Sequence, residues 1–65
     1  MKVRGDIIRR KRKKLHMSQS EFARKLHTNR STVYRWEAML SEPQVEQLAE
    51  ILAVLEIDFF DIVRR

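Results

Sequence analysis

Arg30, Ser31, Tyr34 and Arg35 are spaced so that they fall within one arc of a helix turning about 100° per residue. Two guanidinium forks, a hydroxyl and a phenol on one stripe form a set of donors suited to a flat, acceptor-rich edge. Arginine pairs bidentately with O6 and N7 of guanine, and a hydroxyl serves several base edges. Val33 and Trp36 lie on the opposite side of the same turn, where they would hold the helix down. An exposed helix face usually favours Glu and Lys. The run Ser31-Thr32-Val33-Tyr34 is instead poor in helix propensity, so ordinary solvation explains it less well than recognition does.

Five helices would position this arc, over residues of about 6–15, 18–26, 30–37, 44–55 and 59–64. In the first, Ile8, Lys11 and Leu15 recur at helical spacing, and Arg9, Arg10, Arg12, Lys13 and Lys14 coat the rest. The second opens on S-Q-S-E, a capping box in which the Ser18 hydroxyl takes the Glu21 N–H and the Glu21 carboxylate reaches back. Phe22, Ala23 and Leu26 form its inward stripe. Asn29 is a good N-cap for the third. Pro43 precedes the fourth, lined by Val45, Leu48, Leu52 and Leu55. Asp58 caps a short fifth through Phe59, Phe60, Ile62 and Val63. No alternating run of β-branched or aromatic residues predicts a strand. The fold class is all-α: one compact five-helix domain over residues 1–65. Residues 27–29 leave so short a connection that helices two and three must cross steeply, as in a helix-turn-helix.

Composition narrows the function. A core of 65 residues supplies no more than about 3–5 kcal/mol, and small domains of this size lean on disulfides, metals or oligomerisation. There is no cysteine, and His16 and His27 are isolated, so neither a metal nor another cofactor is expected and oligomerisation is the support left open. No apolar run is long enough for a signal segment or a membrane span, which predicts a cytosolic protein. From Met1 to Trp36 twelve Lys/Arg stand against two acids; from Glu37 to Arg65 two Arg stand against seven acids. A basic half joined to an acidic half implies that one side faces a polyanion. Catalysis is not expected: there is no Ser/His pairing, no phosphate loop and too little volume for a pocket, and Glu46 and Glu50 form a helix-face i,i+4 pair. Ile7 and Ile8 offer a membrane little apolar area among so many charges. A protein-interaction module is the alternative, and it predicts that Arg30 and Arg35 are dispensable.

The segments MSQSEFARKL, NRSTVYRWE and LAEILAVLEI, with Pro43 between the last two, resemble the lambda-repressor/Cro-type (XRE-type) helix-turn-helix domains of phage and bacterial regulators. The resemblance spans about residues 8–63 and rests on four motifs: the S-Q opening of helix two, Ala23 three residues before Leu26, S-T-V-x-x-W-E in helix three, and the helix after Pro43. It implies a five-helix domain that docks helix three in the major groove of double-stranded DNA, usually as a twofold homodimer on a palindromic operator, and that acts in the cytoplasm at the nucleoid. By resemblance, Arg30, Ser31, Tyr34 and Arg35 occupy base-reading positions. Gln19 occupies a phosphate-contacting position that also buttresses the recognition side, and Thr32 one that flanks the backbone. Arg12 and Glu37 match a pair that bridges helix one to the end of helix three. Trp36 matches a core position, which leaves Tyr34 as the aromatic for DNA, through a thymine methyl or a phosphate. Met17 is core by spacing. The basic run points all round its helix, so only part of it, Arg9, Arg10 and Lys13, is assigned to phosphate.

Three departures from the family pattern matter. His27 stands at a turn position that is often Gly and must accept a left-handed conformation or one near it. The loop after helix three reads A-M-L-S-E in place of the usual Gly and basic residues. It leaves Met39 and Leu40 to grip the DNA backbone, pack on the domain or meet a partner chain. The chain ends after the fifth helix, so a homodimer is expected to form from the domain itself, at the C-terminal end, through Val54, Phe60 and Val63.

Overall fold

The protein's structure, a computed structural model, describes residues 2–64. Its elements run β1 (Lys2–Val3), α1 (Gly5–Lys14), α2 (Gln19–Lys25), α3 (Arg30–Glu37), α4 (Val45–Leu55), α5 (Phe59–Ile62) and β2 (Val63–Arg64). Local chemistry starts the helices. Ser18 Oγ accepts the Glu21 N–H at 3.0 Å, and the Ser18 N–H donates to Glu21 Oε1 at 2.9 Å. The bond from the Ser18 N–H above all, with the Ser18 hydroxyl beside it, holds the Glu21 carboxyl below its ordinary pKa of 4.5. Asn29 Oδ1 accepts from both the N–H of Thr32 at 2.9 Å and its hydroxyl at 3.0 Å.

One device ends the first four helices. His16, His27, Met39 and Glu56 each take a left-handed conformation, with φ of 59°, 56°, 60° and 56°. After each, an N–H reaches back across the last turn: Met17 to the carbonyl of Arg12, Thr28 to Ala23, Leu40 to Arg35 and Ile57 to Leu52. This is the cap that glycine makes without strain. Here four residues with side chains make it, at the cost of crowding their Cβ atoms. His27 was the one of these that the resemblance singled out.

Ile8, Phe22, Val33, Ile51 and Ile62 are fully buried, one from each helix, joined by Ile7, Ala23, Leu26, Trp36, Leu48 and Leu55. Each helix thus adds an anchor to one centre, which suits a chain too short for layered packing. Three expected core positions shift. Val45, the first residue of α4, is 70% exposed, because the buried register of that helix is Leu48, Ile51 and Leu55 with Leu52 beside it. Leu15 is exposed at the end of α1, where Ile7 takes the inward place next to Ile8. Lys11 is only half-buried, while Arg12 is buried.

The expectation of no strand needs one correction. Lys2 and Val3 pair antiparallel with Arg64 and Val63, and the Arg4 N–H donates to the carbonyl of Ile62 at 2.6 Å. Helix α5 therefore stops at Ile62 and not near residue 64, since Val63 and Arg64 are extended in this pairing. A two-residue pairing between segments at opposite ends of the chain leaves no alternating pattern for sequence reading to detect. It ties the start of α1 to the end of α5.

Candidate nucleic-acid interface

The left-handed turn at His27 and the Asn29 cap lead from α2 into α3, while Val33 and Trp36 bury the inner side of α3. Arg30, Ser31, Tyr34 and Arg35 are all exposed on the outer side, Tyr34 to 55%, and together they line a shallow groove of about 280 Å³. Two of them, Arg30 and Tyr34, also face a second depression of about 460 Å³ toward α1 and the start of α2. Arg9, Lys13 and Gln19 line its other walls. Arg10 is exposed but does not line this depression. Its neighbours at α1 positions 9 and 13 lie one turn apart and point the same way.

The floor of the depression is an ion pair. Arg12 Nε donates to Glu37 Oε2 at 2.7 Å and Arg12 Nη2 to Glu37 Oε1 at 3.1 Å, with side chains only 7% and 4% exposed. Arg12 Nη1 is satisfied by the carbonyl of Met17 at 2.8 Å. Gln19 Nε2 donates to Glu37 Oε1 at 3.1 Å. A two-pronged, buried arrangement with the third guanidinium nitrogen also bonded is the geometry in which such a pair offsets its desolvation. It also fixes position: α1, the start of α2 and the end of α3 meet on one carboxylate. Because Arg12 balances Glu37, the charge left around the depression is that of Arg9, Lys13 and Arg30. The site accordingly offers donors and positive charge to an anionic surface beside the groove lined by the α3 arc.

Thr32 is half-buried, and its hydroxyl proton is committed to Asn29. Met17 is half-buried against the core, as are Val54 and Val63. At the C-terminal end the apolar exposure therefore falls on Phe60, 82% exposed, and on Phe59, whose ring meets it edge to face at 5.6 Å. Met39 and Leu40 are exposed and line a groove of about 240 Å³ with Lys2, Val3, Ser41 and Glu42. The link from Gln19 to Glu37 is a bond that no local sequence signal could give, as the residues stand 18 apart.

Among the described residues, no helix is long and apolar enough to cross a membrane. No curated protein and no solved structure matches the chain. A family model described as helix-turn-helix matches residues 8–62, from Ile8 in α1 to the last residue of α5. By that match, over nearly the whole chain, the protein belongs to the XRE-type, lambda-repressor/Cro-like helix-turn-helix family of DNA-binding regulators.

Proposed function

We propose that the protein is a sequence-specific repressor that binds a palindromic operator as a homodimer, with α3 in the major groove. The observation that carries this is the division of α3: Val33 and Trp36 buried on one side, Arg30, Ser31, Tyr34 and Arg35 free on the other. In this reading the four free side chains choose the sequence. Arg9, Lys13 and Gln19 hold the flanking backbone, which sets affinity and its dependence on salt. Arg10 and Thr32 contribute to the backbone from the margins. Arg12 and Glu37 contact no DNA and hold α3 in place. Phe60, with Val54 and Val63, forms the contact between protomers. Repression follows from occupancy, since blocking a promoter needs nothing beyond the bound domain.

Selection of bound duplexes from a randomised library tests the proposal. The expected result is a palindromic motif whose half-site spacing locates the twofold axis. Enrichment of a single half-site would remove the dimer. No enrichment above background would leave the basic half as nonspecific attraction, and the protein as an interaction module whose contacts lie at Met39, Leu40 or the acidic second half.

A further inference from the structure

We propose that Gly5 is a positioning residue that sets the tilt of α3 and so the aim of the side chains at its far end. The inference rests on the reading that α3 contacts base edges. Gly5 is the chain's single glycine and the first residue of α1. It is buried, and a Cβ placed on it would lie 2.2 Å from the carbonyl oxygen of Trp36 and 2.7 Å from that of Glu37. Cβ contacts under 3.0 Å are essentially never adopted, and both neighbours are backbone, so no side-chain rotation relieves the clash. Main chain must move, either in the first turn of α1 or in the last turn of α3.

The first turn of α1 is held on two sides. The Val3 N–H donates to Glu42 Oε1 at 2.9 Å, and the Arg4 N–H is bonded to Ile62. The near end of α3 is tied to α1 and α2 through the side chains of Glu37 and Trp36, which can turn as their main chain shifts. The opposite end is held at the main chain by the Asn29 cap and by the short turn from α2. A side chain at position 5 would therefore swing α3 about its N-terminal end. The displacement grows along the helix. It is least at Arg30 and Ser31, larger at Tyr34 and Arg35, and greatest at Trp36 and Glu37. A reading side chain works only within a few tenths of an ångström of its partner, so Arg35 loses its base pair before Arg30 does. Gly5 lies outside residues 8–62, the span that carries the family pattern.

The test is Gly5→Ala in the full chain, taken through duplex selection beside wild type, Arg30→Ala and Arg35→Ala. The two arginine variants identify which motif positions each end of α3 reads. Gly5→Ala should flatten the Arg35-dependent positions, keep the Arg30-dependent ones, and lower affinity for the best site on the order of tenfold. Ile51→Val, a buried change in α4, controls for lost stability and should leave the motif intact. Amide shifts in Gly5→Ala should be largest at Trp36 to Met39 and fall toward Arg30. A motif unchanged in Gly5→Ala overturns the inference, as does a loss spread evenly over all positions. If Gly5→Ala alone does not fold, Glu56→Gly removes the left-handed strain after α4 and supplies a firmer background. A double variant still unfolded would make Gly5 a requirement of the fold and not a setting of α3, which also overturns it. Absence of any motif in wild type would instead refute the DNA reading itself.

Discussion

Tyr34 and Phe60 are both aromatic, both on short helices and both turned outward, yet their surroundings differ in every respect that selects a partner. Tyr34 stands among Arg30, Ser31 and Arg35 on a helix fixed by two buried side chains and by a carboxylate shared with α1 and α2. Phe60 stands on a four-residue helix next to Asp61, with Asp58 at its cap and Phe59 packed against its ring. The first environment is cationic, donor-rich and held in place; the second is apolar and collared by acids. A polyanion is attracted to one and repelled by the other. Exposure alone does not tell a ligand surface from a protein contact. The charge around the aromatic, and how firmly its helix is held, do.

The largest blow to the first region is removal of its footing. Trp36→Ala should cost about 3–5 kcal/mol, by lost transfer energy and the cavity left behind. That is as much as so small a core supplies, so the variant should show no cooperative melt at ambient temperature. A melt close to wild type would refute the anchoring role. Glu37→Ala comes next. It leaves Arg12 buried without its counter-charge and Gln19 without its acceptor, for an expected loss of about 3 kcal/mol in denaturant unfolding. A small loss would mean that Arg12 can turn out to solvent and that the ion pair does not fix α3.

Substitutions on the surfaces themselves sharpen the contrast. Arg30→Ala and Arg35→Ala should each cost about 1–3 kcal/mol in binding to a selected duplex while relaxing one base position. Unfolding should change by no more than about 0.5 kcal/mol, because neither side chain is buried. Equal losses on all sequences would turn that residue into a phosphate contact. Phe60→Ser should do the reverse, leaving the base preference of the motif unchanged and weakening self-association in sedimentation. If it alters which bases are preferred, the two regions are not separate.

Much of this could be read from the chain, and the part that could not has a common cause. Capping at Ser18 and Asn29, the inward pair Val33 and Trp36, and the outward arc of α3 all depend on residues within a turn or two of each other. Periodicity and cap chemistry report that range. Val45 failed because a repeat through 45, 48, 52 and 55 fits a helix as well as one through 48, 51, 52 and 55; only the packing of α4's first turn decides between them. The pairing of Lys2 and Val3 with Val63 and Arg64, and the bond from Gln19 to Glu37, join residues far apart in sequence. The left-handed caps at His16, Met39 and Glu56 went unforeseen because glycine is the residue that signals such a turn, and none stands there. For the site, the resemblance supplied Arg12 with Glu37; the position of Gly5 against the end of α3 is a matter of tertiary approach alone.

The smallest effect is one of acidity, and it arises in the first turns of α1 and α2. The Glu21 carboxyl is held below its ordinary pKa by the Ser18 N–H and hydroxyl, and the Asp6 carboxyl is held low by its bond from Arg4 at 2.9 Å. A carboxylate with a depressed folded-state pKa stabilises the fold at pH above its unfolded value. That contribution is lost as pH falls through the folded value. Melting temperature should therefore decline on acidification below about pH 4.5, the ordinary value for glutamate. Glu21→Gln retains an oxygen for the Ser18 N–H but no longer titrates, so its melting curve should decline less steeply over that range. Asp6→Asn added to it should flatten the decline further. Base preference should be unaffected in both, since neither carboxylate lies on the α3 arc. Parallel curves for wild type and Glu21→Gln would show that the cap carries no pH-dependent stability and that the acid limit of the fold is set elsewhere.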